Sequence, residues 1–306
     1  MRFAVIVAAR LPGQDAVNTL RRLSLDFRMS SDVNANHICP TGCQIKTVQT
    51  DSGDRWRAAL AEWAIPAAIL EQAPEDPWIH PPALFQIPDQ FIDSISHQRA
   101  REALTQGGRV LDIGCGGGNA AFALTPPAAH VVGVDKQRDM LTMFQANAKA
   151  RGVISEIFDG LWPAIADRVP IADVATGHHV VYNVAQIEDF FLAMNSHATS
   201  RVVLEAPQQH PLSTSAALWK HFWNLDRPDE PTPKDLILVL AELGITAHLE
   251  LWEGVIRRES SLEQLAHYSR IRLCLPADRE GEVLEFLTTQ PPVTTRKLAT
   301  IWWDTR

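Results

Sequence analysis

The sequence predicts an α/β protein built around a mostly parallel β-sheet. From residue 109 onward, short apolar segments alternate with segments of helical periodicity, and this alternation is typical of a parallel sheet with helices on both faces. The first apolar segment runs directly into a glycine-rich loop, a frequent arrangement at ligand sites of such sheets. The chain has 306 residues, of which 46% are hydrophobic and 21% charged, so it can bury a large core and is neither disordered nor fibrous.

The chain before this alternating region is expected to form two segments. Residues 1–53 predict a poorly defined N-terminal arm with a helix candidate at 15–27. Residues 54–105 predict a helical cap, because apolar side chains recur every three or four positions over 54–70. Within this cap, Ser94 is a suitable N-cap for a helix that reaches Leu104. Residues 106–306 are expected to form the α/β domain.

Within this domain the strands and helices follow one another in a regular order. Strands are predicted at 109–113, 130–134, 153–157, 173–177, 201–205, 246–251 and 297–303, and helices at 119–124, 137–150, 185–196 and 234–243. Insertions that could act as lids are predicted at about 207–234 and about 260–290. Arg270 and Arg272 in the second insertion could hold an acidic substrate, although a solvated helix face is the simpler expectation.

The charge balance and the cysteine content narrow the class of protein. There are 28 Lys and Arg against 36 Asp and Glu, a formal net charge of −8, and no nucleic acid partner is expected because such binding draws on basic side chains. The apolar run at 3–9 is too short to cross a bilayer, so no membrane association is expected. Four cysteines are too few for a disulfide framework, which favours a cytoplasmic location.

The glycine-rich loop is the most informative segment. Its pattern is Asp112-x-Gly114-x-Gly116-x-Gly118. A nicotinamide-binding GxGxxG loop would have its third glycine at the position of Asn119, so the pattern departs from that class. The next strand is followed by Asp135, 21 residues after Gly114, where a carboxylate can accept hydrogen bonds from both ribose hydroxyls.

This combination of loop and strand-tip acid resembles the first motifs of the class I S-adenosylmethionine-dependent methyltransferases. The resemblance implies a Rossmann-like sheet of seven strands, mostly parallel with the last strand antiparallel, and S-adenosylmethionine as the cofactor. It also implies roles toward that cofactor. The amino-acid part would be held by Asp112, Gly114, Cys115, Gly116 and Gly118, the ribose by Asp135, and the adenine would be bordered by Lys136 and Met140 and approached by Asp159 and Gly160.

The segment after the fourth strand is where this class brings acceptor and cofactor together. His178 would neighbour the amino-acid end of the cofactor, and His179 and Tyr182 are candidates for the acceptor pocket or for a general base. An equally open alternative is that one or both histidines only hydrogen-bond the backbone at the strand end.

The expected activity is therefore methyl transfer to a small-molecule acceptor through an oxygen, nitrogen or carbon atom. The alternatives are a nicotinamide-dependent oxidoreductase and a non-catalytic nucleoside-binding protein of Rossmann-like fold. No metal site is predicted, because His37, Cys39 and Cys43 supply only three of the four ligands of a structural zinc site.

Overall fold

The computed structural model describes residues 48–78, 87–88, 90–255, 261–291 and 293–305. The helix candidate at 15–27 and the residues His37, Cys39 and Cys43 lie outside this range, as does nearly all of the expected N-terminal arm. The described residues belong to one compact unit within 48–306.

The helices and strands alternate along most of this unit. The helices are α1 (Asp51–Ala61), α2 (Ala67–Leu70), α3 (Ile95–Glu102), α4 (Asn119–Phe122), α5 (Arg138–Arg151), α6 (Ile187–Ser196), α7 (Ala216–Trp223), α8 (Pro233–Glu242), α9 (Leu262–Arg272) and α10 (Glu280–Thr289). The strands are β1 (Arg109–Ile113), β2 (His130–Asp135), β3 (Ile154–Asp159), β4 (Ala172–His178), β5 (Ala198–Pro207), β6 (His248–Val255) and β7 (Thr295–Asp304). Each predicted strand is present in the described part of the chain, with ends shifted by a few residues.

The strands described here form one sheet in the order β3-β2-β1-β4-β5-β7-β6. Strands β1 to β5 pair in parallel, whereas β7 is antiparallel to both β5 and β6. The expected seven-stranded, mostly parallel sheet with an antiparallel last strand is thereby confirmed. The carboxyl ends of β1 to β5 meet at one edge of the sheet, where the predicted site residues lie.

The predicted helix over 54–70 is wrong as a single element. The chain forms α1, which starts after the N-cap Thr50, and the separate short helix α2. Pro66 lies between them as the N-cap of α2, and a proline cannot occupy the interior of one continuous helix because it lacks the N–H donor and clashes with the preceding turn. The helix predicted after Ser94 is confirmed as α3, with a capping box between Ser94 and His97.

Both faces of the sheet are covered by buried side chains. Helices α1, α6 and α8 contribute to one hydrophobic cluster, which includes the fully buried Trp56, Phe191 and Trp303. Helices α3, α4 and α5 cover the other face, where Phe122 and Phe144 pack together. Because both faces are buried, the sequences of the central strands are nearly continuous apolar runs.

The two insertions pack against each other in a third hydrophobic cluster. Trp219 of α7 is 2% exposed and lies with Leu273 and Val283 of the second insertion, together with Ile69 of α2. Trp219 is therefore a core residue rather than part of a binding surface. The insertions form one packed body beside the sheet.

Arg270 of α9 is not on a solvated helix face, and that expectation is wrong. The residue is 2% exposed, its guanidinium lies 2.6 Å from Glu75 and 3.1 Å from Glu280, and it donates to the carbonyl of Leu275. A buried guanidinium needs such partners because leaving it unpaired is costly. Arg270 therefore ties the second insertion to the segment after α2.

Candidate active site

The predicted cofactor residues come together at the carboxyl ends of β1, β2 and β3. The glycine loop follows β1, and Asp135 at the end of β2 lies directly beside Asp159 at the end of β3 in the parallel register. The amide of Gly160 donates to the carbonyl of Asp135 at 3.1 Å. The three strand tips thus form one continuous surface, the position at which open α/β sheets bind ligands.

The glycine loop is held against β2 by its own backbone. The amides of Gly114 and Cys115 donate to the carbonyl of Val134 at 2.8 and 3.1 Å. Gly114 and Gly118 have φ angles of +68° and +95°, and a Cβ on Gly118 would overlap the rings of Phe122 and Phe144. Only glycine permits this left-handed backbone and this close approach together.

A stability comparison tests this requirement at Gly118. Gly118→Ala is expected to lower the free energy of unfolding by about 3 kcal/mol, because left-handed strain and steric overlap add. Gly152→Ala is a matched control, since Gly152 also has a positive φ of +65° but a Cβ there would meet nothing within 4 Å; the expected loss is about 1 kcal/mol. Urea unfolding of both variants measures the difference, and equal losses would contradict the overlap.

Asp135 presents both carboxylate oxygens at the tip of β2. Its Oδ2 accepts from the amide of Gly116 at 3.0 Å and its Oδ1 from the amide of Gln137 at 2.9 Å. A carboxylate has about four acceptor sites, so each oxygen can accept a further hydrogen bond from a ribose hydroxyl. The same side chain therefore fixes the glycine loop and presents acceptors to a ligand.

The predicted adenine residues surround the end of β3 and the start of α5. Asp159 is exposed and its Oδ2 lies 2.7 Å from Nε of Arg138. Lys136 is exposed, whereas Met140 is 3% exposed in the first turn of α5. The structure thus places Asp135 and Asp159 on one rim and buries Met140 in the adjoining turn of α5, while contact of these residues with adenine stays a prediction.

The side chains of Asp112 and Cys115 are both buried where β1 runs into the glycine loop. Asp112 is 1% exposed and accepts from the amide of Ala121 and from the hydroxyl of Thr176, at 3.2 and 3.3 Å. Cys115 is 6% exposed, and burial raises the pKa of its thiol well above its ordinary value. The Asp112 side chain anchors the start of α4, and its direct contact with a cofactor stays a prediction.

Ionisation of Asp112 is expected to lower the free energy of unfolding as the pH rises. Burial raises the pKa of Asp112 from 3.8 to about 7. Between about pH 4 and pH 7 the folded state therefore holds a proton that the unfolded chain releases. The stability contributed by this residue therefore falls as the pH rises from about 4 to 7. Asp112→Asn cannot ionise, and its free energy of unfolding relative to the parent is expected to improve by about 2 to 3 kcal/mol between about pH 5 and pH 8. Urea unfolding at both pH values tests this, and a constant difference would contradict it.

The end of β4 brings two histidines against a carboxylate of β5. His178 and Glu205 are register partners, and Nε2 of His179 lies 3.2 Å from Oε1 of Glu205. Burial lowers the pKa of His178 to about 3, so its imidazole is neutral at pH 7. Burial alone would raise the pKa of Glu205, but His178, the hydrogen bond and charge of His179, and the hydroxyl of Ser96 hold it below its ordinary value.

Tyr182 follows these histidines along the chain and lies in a buried aromatic cluster. Its hydroxyl donates to the carbonyl of Pro207 at 2.9 Å, and burial raises its pKa, a combination that disfavours a role as a base. Its ring stacks on Trp56 and meets the edge of His210. His210 in turn stacks on Trp63 with ring centroids 4.2 Å apart.

Two parts of this arrangement were not predicted from the sequence. Glu205 has one signal that could have identified it, because it is a carboxylate within the apolar segment that forms β5. The stacking of Trp63 on His210 has none, since Trp63 falls on the apolar face of a predicted helix and the two residues are far apart in sequence.

The described residues contain no group of three or more histidine, cysteine, aspartate or glutamate side chains suited to a metal ion. Within the same ranges, no helix has the length and apolar character needed to cross a membrane.

The sheet order and the position of the site at the strand tips are those of the class I methyltransferase fold, whose members use S-adenosylmethionine as the cofactor. Residues 104–159 match a family model described as a methyltransferase domain. The site fits the cofactor, because both Asp135 oxygens can accept further hydrogen bonds at the tip of β2.

Comparisons with individual proteins give the following similarities. The ubiquinone biosynthesis O-methyltransferase of Rhizobium johnstonii is 29% identical over 144 residues, which cover 47% of this chain and 57% of that protein. The chain thus spans little more than half the length of this curated relative. Among solved structures, the YcgJ protein of Bacillus subtilis is 18% identical with a TM-score of 0.48, covering 69% of this chain and 98% of that one. The magnesium protoporphyrin IX methyltransferase of Synechocystis is 17% identical with a TM-score of 0.43, covering 81% and 93%.

Proposed function

We propose that the protein transfers the methyl group of S-adenosylmethionine to a hydroxyl group of a small molecule. The observation that carries this proposal is the imidazole of His179 at the tip of β4, 3.2 Å from the Glu205 carboxylate and next to the strand tips that would hold the cofactor. A hydroxyl acceptor benefits from a base in a way that an unprotonated amine does not. The relative from Rhizobium johnstonii, which is named an O-methyltransferase, supports the same choice.

The cofactor-binding roles are part of this proposal. Asp135 binds the ribose hydroxyls, while Asp159, Gly160, Lys136 and Met140 surround the adenine. The backbone of Gly114, Cys115, Gly116 and Gly118 and the buried Asp112 hold the amino-acid end, with His178 beside it. The support for these roles is that all three strand tips converge at one edge of the sheet.

The bound cofactor supplies an electrophilic methyl group. His179 accepts the proton of the acceptor hydroxyl, and Tyr182 serves as a wall of the acceptor pocket because its own hydroxyl is committed to Pro207. Holding the acceptor oxygen in line with the methyl group supplies much of the rate acceleration. Each residue therefore has one task, proton removal for His179 and orientation for Tyr182.

A buried aromatic cluster lies at the end of β5, where the Tyr182 hydroxyl donates to Pro207. Trp63, His210 and Tyr182 pack against one another, and Trp63 and Tyr182 are only 3% and 5% exposed. Burial and the charge of Arg227 lower the pKa of His210 to about 4, so its imidazole is uncharged at neutral pH. A cytoplasmic location, supported by the buried free thiols Cys115 and Cys274, belongs to the same proposal.

Calorimetric titration and a transfer assay test the proposal in sequence. S-adenosylhomocysteine is expected to bind and NAD is not; the reverse result would favour a nicotinamide-dependent oxidoreductase. Labelled S-adenosylmethionine is then incubated with a panel of phenols and catechols and with a matched panel of anilines. Labelling confined to the anilines would overturn the hydroxyl assignment, and binding without transfer to any compound would favour a non-catalytic role.

A further inference from the structure

The carboxylate of Glu205 is held in place from two sides. It belongs to β5, opposite Thr300 of β7, and its Oε2 accepts from the hydroxyl of Ser94 at 3.1 Å. Ser94 is the N-cap of α3. The side chain is only 8% exposed, so these contacts replace most of its hydration.

The start of α3 adds further support for a negative charge at this position. Ser96 contacts Thr300 through their hydroxyls at 2.7 Å, and Thr300 accepts from the indole of Trp252 at 2.9 Å. Hydrogen bonds therefore link β6, β7 and the start of α3 beside Glu205, and the positive end of the α3 dipole lies on the same side. The carboxylate is kept ionised and its orientation is fixed.

The backbone of His179 also contacts Glu205. Its φ angle is +59°, a left-handed conformation that is uncommon for a residue with a side chain, and its amide donates to the carbonyl of Glu205 at 2.7 Å. Strained backbone that is held by its surroundings is frequent at functional sites. In the described part of the chain, Nδ1 of His179 makes no hydrogen bond, and the side chain is 40% exposed.

We infer that Glu205 is a positioning residue that holds His179 in the tautomer with a proton on Nε2, which leaves the lone pair of Nδ1 to act as the base. This inference rests on the proposed function and deepens it. It assigns Nε2, which lies 3.2 Å from Glu205, to the carboxylate and Nδ1 to the acceptor. A carboxylate that orients an imidazole in this way also stabilises the imidazolium that forms during the reaction.

The reaction step balances with these two residues. The acceptor hydroxyl gives its proton to Nδ1 of His179, the oxygen lone pair forms the bond to the methyl carbon, and the electron pair of the carbon–sulfur bond stays on sulfur. The positive charge that begins on sulfur therefore ends on His179, beside the ionised Glu205. The groups that face this pair are His97 of α3, His178 of β4 and Arg296 of β7.

Nitrogen-15 NMR of protein labelled in its histidines tests the tautomer without a substrate. The variant His179→Asn identifies the His179 signals, and above neutral pH the parent is expected to show Nε2 protonated and Nδ1 unprotonated. Glu205→Gln is expected to shift both signals toward the tautomer mixture of a free imidazole, and Glu205→Asp to restore part of the parent pattern. Glu253→Gln, an exposed carboxylate on β6, is the matched control and leaves the signals in place.

Two results would overturn the inference. One is a parent His179 with its proton mainly on Nδ1, an outcome that does not depend on the folding of Glu205→Gln. The other is a pair of His179 signals that do not move in Glu205→Gln. A parent that shows the Nε2 tautomer but neither binds S-adenosylhomocysteine nor transfers a methyl group would instead contradict the proposed function alone.

Once an acceptor is known, kinetics give a second measurement. Glu205→Gln is expected to lower kcat by about 10- to 100-fold with KM for the cofactor changed less than about twofold, because the base is misoriented while the cofactor residues are intact. An unchanged kcat in a folded variant would overturn the assignment.

Discussion

Replacing Asp135 with alanine is expected to weaken the binding of S-adenosylhomocysteine by about 10- to 100-fold. The carboxylate would lose its hydrogen bonds to the ribose, which are charge-assisted and contribute about 1.5 to 3 kcal/mol. The same substitution also removes the acceptors for the amides of Gly116 and Gln137, so the glycine loop is less well ordered before the ligand arrives. Isothermal titration calorimetry measures both the affinity and the binding enthalpy.

A matched variant separates this role from a general effect of charge. Asp167→Ala removes an exposed carboxylate from the short turn Ala166–Arg168, away from the strand tips, and is expected to leave the affinity unchanged. If Asp135→Ala binds as tightly as the parent, the assignment of the ribose to this residue is wrong. If both variants weaken binding equally, the effect is one of net charge.

Replacing His179 with asparagine is expected to lower kcat by about 100-fold or more while the affinity for S-adenosylhomocysteine changes by less than about twofold. General base catalysis contributes rate factors of this size, and the proposed cofactor contacts do not include this imidazole. Asparagine is the suitable replacement because it tolerates the left-handed backbone that His179 adopts. Single-turnover transfer of the labelled methyl group measures the chemical step directly.

His248→Ala provides the control for this variant. His248 is exposed on β6 and stacks on Trp302, so its removal is expected to leave kcat unchanged. A folded His179→Asn variant with the kcat of the parent would contradict a base at this position. A comparable loss in His248→Ala would point to a shared effect on stability instead.

The strands and their order of appearance were predictable because their signals are local. An apolar run such as 109–113 has the length and composition of a buried strand, and the glycines at Gly114, Gly116 and Gly118 mark a turn wherever the rest of the chain lies. The helix predicted over 54–70 failed for an equally local reason, because Pro66 outweighs the apolar periodicity around it.

The candidate site was predictable where one residue stands at a strand tip. Asp135 and Asp159 each follow an apolar run, and parallel strands bring their carboxyl ends to the same edge, so the two were expected to meet and are register partners. Such reasoning places residues at an edge of the sheet. It does not say which way a side chain turns, and the Asp112 side chain is buried where β1 runs into the glycine loop.

The sequence by itself determined the type of sheet, the glycine loop and the acids at the strand tips, because these follow from periodicity and turn chemistry within a few neighbouring residues. Only the tertiary structure decided that Glu205 supports His179, that Ser94 holds Glu205, and that Trp63 stacks on His210. Those contacts join residues far apart in the chain. Their geometry depends on strand register and on the packing of α1 and α3 against the sheet, which arise only when the whole core forms.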